Sequence, residues 1–190
     1  MLFTFSCKSE PTDVDVLISG GMIHDGTGMN GYIGNVAINK DTIFYVGKKN
    51  NFIAKKTIDA SGKIVSPGFI NMLSWGYGTL LEDGRGLSDL MQGVTLEIFG
   101  EGRSPGPYYE DGKLVSFGDA MNKLEESGVS INVASFLGAA TTRILEVGYE
   151  NRDATDQEMK RMKNIVRKSM EEGAMGIGSS LIYAPGDYAN

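Results

Sequence analysis

The sequence is poor in the residues that most often build a metal centre. One cysteine and one histidine stand among 190 residues. A single Cys excludes an intrachain disulfide framework. One Cys and one His also exclude a zinc site made mainly of those residue types, so a metal held by this chain needs carboxylates. Proline is scarce, at five. No run of lysine and arginine occurs and the formal net charge is −6, which argues against nucleic acid as a partner. No stretch is long and apolar enough to read as a membrane-spanning helix.

Glycine, in contrast, is abundant, at 26 residues. With 41% hydrophobic residues the chain has enough apolar side chains for a real core. The glycines therefore read as tight turns and close backbone approaches, not as disorder. At the N-terminus, MLFTFSC is a short apolar run ending at Cys7, followed by the polar KSEPTD. The pattern matches the tail of a bacterial lipoprotein signal, with Ser6 before a cysteine that would be lipidated. The basic start is missing and Thr4 stands where leucine is usual. The reading is a clipped signal and linker over 1–12, a lipid anchor at Cys7 and a place in the cell envelope. The plainer alternative is an apolar N-terminus with an inert Cys.

From residue 13 to 66 the chain reads as short strands with turn residues every eight to ten positions. DVDVLIS alternates, Gly20-Gly21 is read as a turn, and Met22-Ile23 as the start of a second strand. GNVAINKD, TIFYVGKK, KKTIDASG and KIVSPGFI continue the pattern, so this is a small all-β module. After Pro67 strands alternate with helices. FINML (69–73), VTLEIF (94–99), VSINVASFLG (129–138) and AMGIGSS (174–180) read as strands. GRGLSDLMQGV reads as a short helix, and SFGDAMNKLEESG as an amphipathic one stopped by Gly128. TDQEMKRMKNIVRKSMEEG (155–173) carries Thr155 and Glu158 at capping-box spacing. Its apolar face, Met159, Met162, Ile165, Val166 and Met170, is core packing, not a cofactor box. Such alternation implies a parallel sheet with helical crossovers. The fold class is therefore α/β, a partial (β/α)8 TIM barrel of about four βα units over 67–190. A full barrel takes about 250 residues.

Five segments carry a family resemblance: DVLISGGMIHDGTG with the junction DASGKIVSPGFIN, then QGVTLEIFGEGRSPGP with NVASFLGAATTR, and finally EEGAMGIGSSLIYAPGDYA. Together they resemble the amidohydrolase superfamily, and within it the N-acyl-D-amino-acid deacylases (D-aminoacylases). The resemblance implies that 13–66 is the N-terminal part of a β-sandwich. It also implies a zinc-carrying barrel that hydrolyses the amide bond of N-acyl-D-amino acids. Most of the superfamily ends the first barrel strand in His-x-His. Here Leu73 and Trp75 stand in those places, and neither is a useful ligand. The family's cysteine ligand follows the second strand in a Gly-Asn-Cys-Gly turn. The turn Gly100-Glu101-Gly102 matches it and puts Glu101 near that cysteine's place, as a carboxylate ligand to one dominant zinc. The other ligands and the acid/base aspartate of the family lie on later strands, so no catalytic residue is assigned in this chain.

Each singled-out residue has a plainer reading beside it. Glu101 is a metal ligand or an ordinary loop carboxylate. Glu97 faces the barrel interior or makes a strand-edge salt bridge. Tyr183 and Ser180, after the fourth strand, contact the small-molecule N-acyl amino acid or simply pack a loop. Arg143 and Arg103 pair with a substrate carboxylate or are solvated. Glu82 and Asp83 read as a solvated loop, and His24 as a turn or surface residue. No histidine is available to activate Ser179 or Ser180 as a nucleophile. A half barrel has open sheet edges, so the chain alone is expected to self-associate and to be inactive by itself. A different class remains open, a non-catalytic envelope binding protein that keeps the fold.

Overall fold

The computed structural model describes residues 10–189. Cys7 and the MLFTFSC segment lie outside the described residues. The chain divides into two compact units, Met1–Pro67 and Gly68–Asn190.

The first unit is a single sheet of five strands. These are β1 (Thr12–Ile23), β2 (Tyr32–Asn39), β3 (Thr42–Gly47), β4 (Phe52–Asp59) and β5 (Ile64–Val65). The order is β3-β2-β1-β4, with β5 also on β1. β1 is antiparallel to β2 and parallel to β4 and β5. The Gly20-Gly21 pair does not turn the chain. It forms an irregularity inside one continuous strand, between Ile18 and Gly21. Gly20 has φ of 75°, a conformation natural to glycine. Its freed N–H donates to Oδ1 of the buried Asn35 at 3.0 Å. Asn35 in turn donates to the Lys49 carbonyl at 2.9 Å, so a side chain completes the ladder that the bulge breaks. Gly21 is needed as well, because a Cβ there would sit 2.5 Å from Val65 Cγ2. Val14, Ile23, Val36, Ala37 and Ala60 are buried.

The second unit opens with β6 (Phe69–Asn71), α1 (Tyr77–Glu82), α2 (Leu87–Leu90) and β7 (Val94–Phe99). A short hairpin follows, β8 (Tyr108–Glu110) and β9 (Lys113–Val115), and then α3 (Phe117–Ser127). Next come β10 (Asn132–Ser135), β11 (Leu137–Gly138), α4 (Ala139–Glu146), α5 (Asp156–Glu171) and β12 (Ile177–Gly178). β6, β7 and β10 pair in parallel, and β11 pairs in parallel with β12. Only Phe136 separates β10 from β11. Its N–H donates to the Phe99 carbonyl, and that of Leu137 to the Gly176 carbonyl. The segment read as one strand over 129–138 thus changes partner in its middle, from β7 to β12. The first strand is also shorter than read, ending at Asn71 rather than Leu73.

The helices follow local chemistry. Ser116 Oγ accepts from the Asp119 N–H at 3.1 Å while Asp119 Oδ2 accepts from the Ser116 N–H at 3.2 Å, a capping box on α3. Gly128 ends that helix with φ of 77°. The Thr155–Glu158 box on α5 forms as the sequence predicts. The apolar face of α5 is half-buried at Met162, Ile165, Val166 and Met170, with Ser169 fully buried among them and Met159 exposed. α3 and the α1 region close over the sheet through Leu80, Phe99, Leu124 and Ile131. α1 and α4 are helices the sequence pattern does not announce, since Gly76 and Gly138 cap them without a side-chain bond, and Glu82, read as loop, ends α1.

Candidate functional site

The ends of β6 and β7 are locked to one another. Asn71 Oδ1 accepts from the Leu73 N–H at 3.2 Å and turns the chain out of β6. Ser74 then points back: its N–H donates to the Ile98 carbonyl at 2.9 Å and its Oγ to Glu97 Oε2 at 2.5 Å. Ser74 Oγ also accepts from the Gly76 N–H at 3.0 Å. Glu97 is 2% exposed. The strand-edge salt bridge does not form, because the partner of Glu97 is a hydroxyl at the end of the neighbouring strand β6, not a cation. A side chain at position 76 would bring a Cβ within 2.7 Å of Glu97 Oε2, which explains Gly76. With Ser74 turned inward, Leu73 and Trp75 are left exposed, at 53% and 63%.

The Gly100-Glu101-Gly102 turn follows β7. Its glycines serve the neighbouring strands. A Cβ on Gly100 would lie 2.0 Å from the Phe136 carbonyl oxygen, and Gly100 has φ of 97°. Gly178 and Gly138 repeat the device, since a Cβ on either would press on the Gly100 or Gly102 carbonyl oxygen, at 2.2 and 2.4 Å. The Ala140 N–H donates to the Gly102 carbonyl at 2.9 Å. Glu101 is therefore half-buried on a turn fixed by backbone contacts.

These strand ends surround an open hollow of about 470 Å³, within the range of small-molecule sites. Leu73, Trp75, Glu101, Arg103, Ser180 and Tyr183 are among its walls. It sits at the carboxyl ends of parallel strands, where open α/β sheets place ligands. Of the sequence-predicted residues, Glu101, Ser180 and Tyr183 are brought together there. Arg143 is not. It is 4% exposed, and its Nη2 donates to the carbonyls of Glu150 and Arg152 at 2.9 and 2.6 Å. Arg103 is the guanidinium that lines the hollow, held by a hydrogen bond from Nη2 to the Tyr149 hydroxyl at 2.8 Å. It also lies over the Tyr149 ring, 5.5 Å from the centroid. No local pattern links positions 103 and 149, so sequence reading has no signal for this pair.

Asp83 is exposed and forked by Arg85 at 2.8 and 2.7 Å, which holds its carboxyl down at about 2. His24 lies in the first unit and is exposed. Among the described residues no group of three or more His, Cys, Asp or Glu side chains is placed to hold a metal ion. Zinc needs four donors. The described residues thus do not make a closed site, and Glu101 is the one carboxylate among the residues that line the hollow.

Comparison with known proteins bears on this geometry. No family model matches the chain. A D-aminoacylase of Alcaligenes xylosoxydans xylosoxydans is 26% identical over 94% of this chain and 40% of its own length. A crystal structure of D-aminoacylase, described as defining a novel subset of amidohydrolases, superposes with a TM-score of 0.85 at 28% identity. It matches 93% of this chain and 40% of that one. The chain resembles the N-acyl-D-amino-acid deacylases over nearly all of its length. An N-acyl-D-glutamate deacylase from Bordetella bronchiseptica, solved with zinc and a phosphonate mimic of the tetrahedral intermediate, gives a TM-score of 0.83 at 26% identity. That match takes in 94% of this chain and 40% of the deacylase. The α/β fold described above is thus one that matches amidohydrolase structures. The chain spans about 40% of the length of these relatives.

Proposed function

We propose that this chain is the N-terminal part of a metal-dependent amidohydrolase that cleaves the amide bond of N-acyl-D-amino acids or similar amides. The observation that carries the reading is the meeting of Glu101, Ser180 and Tyr183 in one hollow at the carboxyl ends of the strands. On this reading Gly68–Asn190 is the first half of a (β/α)8 barrel, with β6, β7, β10–β11 and β12 as its first four strands. Met1–Pro67 is then part of a β-sandwich.

Zinc, when bound, lowers the pKa of its water to about 7 and polarises a carbonyl. Glu101 would give it one anionic oxygen, with the remaining donors supplied from outside the described residues. Leu73 and Trp75 offer no ligand, so one metal site dominates. Ser180 and Tyr183 present hydroxyls to the acyl amino acid. Arg103, clamped by Tyr149, can pair with its carboxylate. The exposed Leu73, Trp75 and Ile182 provide apolar wall that shields the reacting amide from water.

The exposed apolar residues Phe69, Ile70, Ile177 and Leu181 support association of this chain through its open strands. Placement at the cell envelope rests on Cys7 and belongs to the same proposal. A second reading, a ligand-binding protein without catalysis, is favoured by Leu73 and Trp75 at the strand end. Zinc content decides between them. The longest reading frame that contains this segment is purified with and without Glu101→Ala. Stoichiometric zinc that falls on losing Glu101 supports the hydrolase, and a zinc-free protein supports the binding protein.

A further inference from the structure

The two sides of the Glu101 hollow differ in chemistry. β6 pairs with one side of β7 and β10 with the other, and β12 lies beyond, on β11. The Glu101 turn after β7 therefore stands between two flanks. Leu73 and Trp75, at the end of β6, make the first, and they carry neither charge nor hydroxyl. Ser180 and Tyr183, after β12, are on the second, and a Cβ on Gly102 would lie 3.2 Å from that of Ser180. Ile182 shares this second flank. Arg103 is tied to the hydroxyl of Tyr149, a residue beyond α4, the helix that follows β11. The first flank is held by contacts that lie outside the hollow. Ser74 is bonded to the Ile98 carbonyl and to the buried Glu97, and neither Ser74 nor Glu97 lines the hollow. Burying a carboxylate is costly. Here it fixes a strand end on which Leu73 and Trp75 face outward, both more than half exposed.

We propose that Leu73 and Trp75 form a subsite for the acyl arm of the substrate, and that this arm is an aliphatic chain longer than acetyl. The inference rests on the reading of the hollow given above, which puts the reacting amide at the Glu101 turn. An amide has two arms, and they leave the reacting carbon in different directions. Hydroxyls and a guanidinium suit the arm that carries the amino-acid carboxylate, with Ile182 beside its side chain. The acyl arm then runs toward β6. Covering indole and leucyl surface with an alkyl chain removes apolar area from water on both partners. This contact needs no charge of either sign, so the Glu101 carboxylate does not oppose it. The strand end that lacks His-x-His is on this reading a place for substrate instead of metal.

The test uses the protein of the longest reading frame that contains this segment. N-methanesulfonyl- and N-pentanesulfonyl-D-alanine keep both arms and resist hydrolysis, so calorimetry reads their binding without turnover. The pentanesulfonyl compound should bind about tenfold or more tightly than the methanesulfonyl one, through added methylenes half-covered on an open wall. Trp75→Ala should remove most of that ratio and Trp75→Phe should keep most of it. Trp75 is exposed, so both variants should fold, with circular dichroism as the check. The emission missing from Trp75→Phe is that of Trp75, and it should shift to the blue with the pentanesulfonyl compound only. Hydrolysis of N-acetyl- and N-hexanoyl-D-alanine is followed separately. Equal affinities, no binding of either sulfonamide, or a ratio that survives Trp75→Ala would overturn the inference. Equal affinities together with turnover overturn the subsite and leave the hydrolase standing. A ratio that Trp75→Ala removes, without turnover of either N-acyl compound, supports the subsite and counts against the hydrolase.

Discussion

Ser74→Ala tests whether a single hydroxyl holds the strand end that carries Leu73 and Trp75. In the native chain Ser74 Oγ donates to the buried Glu97 at 2.5 Å and accepts from the Gly76 N–H at 3.0 Å. A hydrogen bond to a charged group contributes about 1.5–3 kcal/mol, and an ordinary one about 0.5–1.5. Alanine removes both and leaves a carboxylate buried without its donor. The expected loss is therefore about 2–4 kcal/mol. With a urea slope of about 2 kcal/mol per molar, the midpoint falls by roughly 1–2 M. Trp75 is the sole tryptophan and is adjacent in the chain, so its fluorescence reports on this end directly. Far-UV circular dichroism follows the whole unit. Glu97→Gln keeps an acceptor and should cost less than about 1 kcal/mol. Ser74→Ala combined with Glu97→Leu replaces both partners by apolar groups and should recover much of the loss. A Ser74→Ala midpoint shift below about 0.3 M, or a double variant no better than the single, would refute the reasoning.

Leu124→Ala removes a fully buried side chain from the cluster under α3 and should cost about 2–5 kcal/mol, read as a lowered urea midpoint. Glu158 has its carboxyl held well below the usual range by Arg152, then by the Thr155 N–H and hydroxyl. The folded value is depressed, so its stabilisation is complete above the unfolded value of about 4.3 and is lost as pH falls below it. Midpoints of the parent and Glu158→Gln should therefore differ at pH 7 and converge in acid. If Glu101 holds zinc as proposed, Gly178→Ala, which places a Cβ against the Gly100 carbonyl, should lower the zinc content of the longest reading frame as Glu101→Ala does, although it touches no donor atom. Unchanged zinc in a folded Gly178→Ala protein would count against the sheet fixing Glu101.

What the sequence discloses is what short-range chemistry decides. Thr155 and Glu158 are three residues apart, and their mutual bonds need nothing else. The alternation of apolar runs with amphipathic segments reveals parallel strands because crossovers demand it. Ser116-x-x-Asp119 carries the same kind of local signal and is easily passed over, because Asp replaces the usual Glu or Gln. Most of the misread features depend on distant partners. Gly20-Gly21 looks like a turn until Asn35 and Val65 are placed beside it. The break at Phe136 depends on Phe99 and Gly176, whose carbonyls accept from the adjacent N–H groups of Phe136 and Leu137. Arg143 is tied to carbonyls on the loop after α4, and carbonyls leave no trace in side-chain spacing.

The same division applies to the site. The type of residue at position 101 is legible, because a carboxylate between two glycines stands out. Its position is not. Gly100 admits the Phe136 carbonyl, Gly178 admits that of Gly100, and Gly138 admits that of Gly102. Each close approach sets one strand end against another, so the turn is located by the backbones of two neighbouring segments, 136–138 and β12. Side chains that hold a ligand by their own contacts can drift with their rotamers. A turn clamped in this way moves only if the sheet moves. On the proposed reading such rigidity is of most use, since Glu101 would have to meet metal donors that come from outside the described residues.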